Sequence, residues 1–154
     1  MKIGVIADSH LTKCEEQIFA VFRAIFADCE MIIHAGDFVD ISIVNCFSDK
    51  KFVGVAGNMD GENVRKQFPV IEQLVIADKR IIVVHDLATL PKAEMEHADC
   101  IIFGHTHNPV NLVSGSVLLF NPGSSSSNRY GKRKTVGILE IDAKVVGKII
   151  EIEP

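Results

Sequence analysis

Short apolar runs that stop at a polar cluster recur through the first third of the chain. Residues 2–7 (KIGVIA) end at Asp8-Ser9-His10, residues 31–35 (MIIHA) at Gly36-Asp37, and residues 51–56 (KFVGVA) at Gly57-Asn58-Met59-Asp60. Runs this short and this uniformly apolar predict strands buried on both faces. Between the first two, Ile18, Val21, Phe22, Ile25 and Phe26 fall at helical spacing and predict a helix over 14–27. A short helix is expected over 40–48, with Asp40 or Ser42 near its start. Strand–helix–strand–helix–strand argues for right-handed crossovers and a parallel sheet.

The second half has a different rhythm. Residues 70–77, 80–85 and 99–103 read as strands, with a helix near 91–97. Residues 109–113, 116–121, 135–142 and 145–152 follow as closely spaced strands joined by tight turns such as Ser114-Gly115, an antiparallel signature. So many strands with so few helices predict an α/β fold of two packed mixed sheets with helices outside, a four-layer α/β/β/α sandwich. One domain over residues 1–154 is expected from the length.

Composition narrows the class. Hydrophobic residues make up 47% and charged residues 23%, ordinary for a globular chain, and the net charge of −4 gives no electrostatic case for nucleic acid or an acidic membrane. Lys132-Arg133-Lys134 is the lone basic cluster and reads as a solvated loop. Cys14, Cys29, Cys46 and Cys100 form no Cys-x-x-Cys pair and read as reduced residues of a cytosolic chain. The first apolar run is too short for a signal peptide, and no later run is long enough to span a membrane. A cytoplasmic location is the expectation.

The chemistry lies where strands end. His85 closes the 80–85 strand, and Gly104-His105-Thr106-His107 follows the 99–103 strand. In parallel α/β layers the C-terminal strand ends gather on one rim, where ligands bind. Five loops therefore offer Asp8, Asp37, Asn58, His10, His85, His105 and His107 to one region. Each alone has a plainer reading: a turn, a helix cap or a hydrogen-bonded strand-end histidine. The His105/His107 pair alone leaves open one metal's ligands, an acid/base pair or a polar strand end. Together the seven exceed the roughly four ligands of one zinc and suit two ions about 3.5–4 Å apart. The mixed N and O donors favour Mn²⁺, with Fe, Zn²⁺ or Ni²⁺ as alternatives. Gly36, Gly57 and Gly104 would let the backbone turn and approach closely behind the ligands.

The ordered motifs Asp8-Ser9-His10, "IHAGD" (33–37), "GNMDG" (57–61), His85, "GHTH" (104–107) and "NPGS" (121–124) resemble those of the calcineurin-like metallophosphoesterase superfamily, in its small single-domain phosphodiesterase branch. The resemblance spans nearly the whole chain. It implies that Asp8, His10 and His107 bind one metal, that Asn58, His85 and His105 bind the other, and that Asp37 bridges them. It implies hydrolysis of a small phosphodiester by in-line attack of a hydroxide held between the ions, with Asp37 and Asn58 serving the chemistry. Self-association is common among its small members, so the resemblance leaves room for a homo-oligomer without fixing the oligomeric state. Three departures stand out. Met59 occupies a position that often holds a leaving-group histidine. His85 is followed by Asp86-Leu87 where small members often have Gly-His, which makes Asp86 a candidate to orient a ligand imidazole. After "GSSSSN" (123–128) comes Arg129 where Pro-Arg usually follows "NPGS" directly, and Arg129 is a candidate substrate-phosphate contact. The alternative is a scaffold like the small retromer subunit, which shares the fold but serves mainly in assembly. A phosphomonoesterase is a third reading, disfavoured by Met59.

Overall fold

The computed structural model describes residues 1–11, 16–126 and 133–152. Two five-stranded mixed sheets carry the fold. The first contains β1 (Lys2–Ile6), β2 (Met31–His34), β3 (Lys51–Gly54), β9 (Thr135–Ile141) and β10 (Val145–Glu151), in the order β10-β9-β1-β2-β3. The second contains β4 (Ile71–Ile76), β5 (Lys79–Val84), β6 (Cys100–Ile102), β7 (Val110–Ser114) and β8 (Val117–Asn121), in the order β4-β5-β6-β8-β7. Strands β1, β2 and β3 are parallel neighbours, as are β5, β6 and β8. The hairpins β4–β5, β7–β8 and β9–β10 are antiparallel.

Period-2 alternation sorts each strand between two apolar layers. Ile3, Val5, Met31 and Ile33 face Ile81, Val83, Cys100, Ile102 and Phe120 across the space between the sheets. Ile6 and Ile32 point the other way, onto Phe19, Phe22 and Phe26. Those phenylalanines come from helix α1 (Glu16–Ile25) and the turn after it. On the far side, Ile82, Val84 and Ile101 meet Leu90 and Met95 near helix α3 (Lys92–Met95). The expected four-layer sandwich is the observed one.

Local differences have simple causes. The stripe of α1 uses Phe19 rather than Val21, which is exposed. The segment expected over 40–48 is a 3₁₀ helix, Ile41–Phe47, whose start is capped by the Asp40 carboxylate accepting from Ser42 N at 2.7 Å. Helix α2 (Glu62–Arg65) and a 3₁₀ turn at Leu87–Thr89 are single turns, too short to show a period. No helix among the described residues is long and apolar enough to cross a membrane.

The parallel strands place their C-terminal ends on one rim of the sandwich. Backbone bonds knit that rim: Asp8 N donates to Gly36 O, His10 N to Asp37 O, and Gly104 N to His85 O, at 3.0–3.1 Å.

Candidate metal centre

All seven candidate ligands meet at the rim. Asp8 and His10 follow β1, Asp37 follows β2, Asn58 follows β3, His85 follows β5, and His105 and His107 follow β6. Asp8 Oδ1 lies 3.3 Å from His107 Nε2 and 4.0 Å from His10 Nε2. The two imidazole Nε2 atoms are 3.3 Å apart. Asp37 Oδ2 lies 3.4 Å from His85 Nε2 and 3.8 Å from His10 Nε2. Asn58 Oδ1 lies 3.0 Å from both His85 Nε2 and His105 Nδ1. Asp8, His10 and His107 form one cluster of metal-ligand spacing, and Asp8, Asp37 and His85 form another. Both aspartates therefore face both sides of the centre.

The backbone at these positions is costly. Asp8, His10, Asp37, His105 and His107 all have positive φ, between 43° and 68°. Left-handed geometry is rare for non-glycine residues and collects at functional sites. Neighbouring glycines make the close approach feasible. A Cβ on Gly36 would sit 2.5 Å from His85 Nδ1, and one on Gly57 would overlap the Asp37 carboxylate.

Hydrogen bonds settle two tautomers. His85 Nδ1 lies 2.8 Å from the Ala35 carbonyl, which can only accept, so Nδ1 carries the hydrogen. A neutral ring turns its Nε2 lone pair toward Asp37 Oδ2 and Asn58 Oδ1, whereas a protonated ring donates from Nε2 to them. Acceptors facing acceptors repel unless a cation or a proton lies between them. That donor set fits divalent ions. Buried His34, by contrast, accepts from Gly36 N at Nδ1 (3.2 Å) and so donates from Nε2 to Ser9 Oγ (2.9 Å). Burial, and then the neighbouring His85, push its pKa down to about 3, so it stays neutral and links the 8–10 loop to the Gly36-Asp37 turn.

The two carboxylates are driven apart. Burial raises Asp8 to about 7; His85 opposes this and Asp37 adds to it. Burial also acts on Asp37, but bonds from His85 and from Met59 N outweigh it and lower the pKa. Burial acts to lower His85, yet its bonds to Asp37 and Ala35 leave it raised.

Some supports were not anticipated. Buried Asp60 accepts from Asp37 N (2.9 Å), Val39 N (2.8 Å) and Gly57 N (2.7 Å), so one carboxylate ties two ligand loops together. Arg65 clamps the same loop, with Nε on Asp60 O (2.8 Å) and Nη2 on Gly57 O (2.7 Å). Asn121, at the end of β8, donates to Gly104 O (2.9 Å), and Ser124 Oγ donates to Asp8 O (2.8 Å). Asn121 was within reach of the strand-end rule, because β8 is another parallel strand. Asp86 does not orient His85, since Ala35 O holds that ring. The Asp86 carboxylate instead accepts from Ala88 N at 3.0 Å and caps the Leu87–Thr89 turn. Arg129 lies outside the described residues. Met59 is 58% exposed.

Comparison with known proteins agrees with the site. Residues 1–144 match the calcineurin-like phosphoesterase superfamily domain. A probable metallophosphoesterase of Methanocaldococcus jannaschii is 34% identical, over 99% of this chain and 82% of its own length. A phosphodiesterase of the same archaeon is 30% identical, over 97% and 99%. Among solved structures, an archaeal phosphodiesterase superposes with TM-score 0.78 at 25% identity, covering 99% of this chain and all of that one. Zinc-bound Vps29 from Entamoeba histolytica shares the fold, with TM-score 0.74 at 19% identity over 98% and 99% of the two chains. Motifs, fold, ligand cluster and relatives agree: the chain belongs to the calcineurin-like phosphoesterase superfamily, a family of metal-dependent phosphoesterases.

Proposed function

We propose that this chain is a two-ion phosphodiesterase that cleaves a small phosphodiester by in-line displacement at phosphorus. The observation that carries this is the convergence of seven donor side chains from five strand ends, with His85 held at Nδ1 by Ala35 O so that Nε2 faces Asp37 Oδ2 and Asn58 Oδ1. In this reading Asp8, His10 and His107 hold one ion, Asn58, His85 and His105 hold the other, and Asp37 stands between them. When bound, such ions lower the pKa of water and offset charge on phosphoryl oxygens. The chain supplies the rest. Asn58 presents its amide to the phosphoryl group from the exposed side of the centre, and Asp37 sets the spacing of the two halves. His105 and His107, one loop with two aims, tie the halves together. Manganese suits the N and O donors best, with iron, zinc and nickel next.

Met59 bears on substrate choice. A thioether has no proton to give, so the chain lacks the usual leaving-group acid at that position. Diesters and activated esters, whose leaving groups depart without one, are favoured over monoesters. The alternative is a protein-binding scaffold with turnover lost. The complete donor set argues against it.

The deciding experiment is hydrolysis of bis-p-nitrophenyl phosphate by chelator-stripped protein with Mn²⁺, Ni²⁺, Zn²⁺ or Mg²⁺ restored. Turnover that depends on added ion, greatest with Mn²⁺, is expected. No turnover with any ion, with circular dichroism unchanged, would overturn the enzyme reading.

A further inference from the structure

A cleft of about 450 Å³ opens beside the centre and shares Asn58, His85 and His105 with it. That size is typical of a site for a whole small molecule and far exceeds a methyl or ethyl ester. Its lining is of three kinds. Val70, Ile71 and Val84 make an apolar wall, and Val70 is 59% exposed although it sits beside a polar site. Arg65 contributes a guanidinium held in place by the Asp60 and Gly57 carbonyls, so it is a fixed flat cation rather than a swinging arm. Asp86 and Thr89 add polar groups to the lining.

A fixed guanidinium plane stacks on flat rings, an apolar wall accepts their faces, and a carboxylate takes an N–H or O–H. The same carboxylate repels a second anion. We propose that this cleft holds one ester group of the substrate, and that its lining selects a flat, nucleoside-sized heterocyclic group with a hydrogen-bond donor for Asp86. The inference rests on the phosphodiesterase reading for its orientation, with phosphorus at the metal centre and the ester group in the cleft.

The test uses the full chain with Mn²⁺ and two esters sharing a leaving group: thymidine 5′-(p-nitrophenyl phosphate) and methyl p-nitrophenyl phosphate. Calorimetry with thymidine 5′-monophosphate and methyl phosphate runs in parallel, as a readout that needs no turnover. The thymidine compounds should be preferred by about tenfold or more in kcat/KM and in affinity. Val70→Trp, made at an exposed position and sized to fill the cleft, should cut that ratio by about fivefold or more. Equal handling of the two esters by the parent chain, or a ratio that Val70→Trp leaves unmoved, would overturn the assignment. Turnover without preference would sink the cleft alone. Preference in binding that Val70→Trp abolishes, without turnover of either ester, would uphold the cleft and sink the phosphodiesterase reading.

Discussion

The two sides of the candidate metal centre share donor chemistry and differ in access. On one side His10 and His107 are 16% and 14% exposed, and Asp8 is fully buried. On the other, Asn58 and His105 are exposed and open with His85 onto the cleft. A recess whose donors are already enclosed can do little but hold an ion. A side that opens onto 450 Å³ can hold an ion and meet a ligand. In the proposed two-ion reading, the difference separates metal retention from substrate contact within one cluster, and each side can be perturbed alone.

The largest effect is expected in the recess. Asp8 stands at about 7 against an ordinary 3.8, because burial penalises its charge. For a carboxyl group so raised, the contribution to stability is complete below about pH 4 and is lost as pH climbs to about 7. Chelator-treated protein should therefore lose stability relative to Asp8→Asn across that window, by on the order of 4 kcal/mol at the upper end. Added Mn²⁺ should restore it. Denaturant melts of the two proteins at pH 4 to 8 measure this, and parallel curves would dispose of the idea.

Between the sides, Asp37→Asn should cost more than Asn58→Ala. A fall in turnover of more than about 100-fold is expected for the former, with loss of bound metal, because both sides depend on that carboxylate. Elemental analysis of the two variants decides the point. Matching metal content would count against a bridging role.

The smallest effect should come from the open side's support. Asp60→Ala removes the acceptor for three backbone N–H groups and leaves Met59 N on Asp37 Oδ1 as a remaining tie between the Asn58 loop and Asp37. About a tenfold loss of Mn²⁺ affinity is expected, concentrated in the ion of the Asn58 side. Competition with a fluorescent chelator would read it, and two ions lost equally would blur the distinction between the sides.

The layers and the ligands are legible in the sequence because both come from one pattern. Apolar runs such as residues 2–7 and 31–35 announce buried parallel strands, and parallel strands must end together. The polar residues just past each run are then the candidate ligands. Asp60 is harder to find. It lies two residues past Asn58, but its partners Asp37 and Val39 sit on another loop, and no local period records that contact. Asp86 misleads for the opposite reason. A carboxylate beside a ligand histidine invites pairing, yet the backbone carbonyl of Ala35 is nearer the ring and claims it. The cleft is invisible in the sequence because its walls come from α2, β4 and β5, brought together by the fold alone.

Five ligands occupy left-handed backbone, at a cost on the order of 1 kcal/mol each. Glycine would relieve that cost at every one of them, and Gly36 shows the chain using it nearby. The chain keeps a carboxylate or an imidazole at all five positions. Left-handed backbone also occurs at Val39, Ala77 and Asp78, so what sets these five apart is that each carries a carboxylate or an imidazole into one cluster.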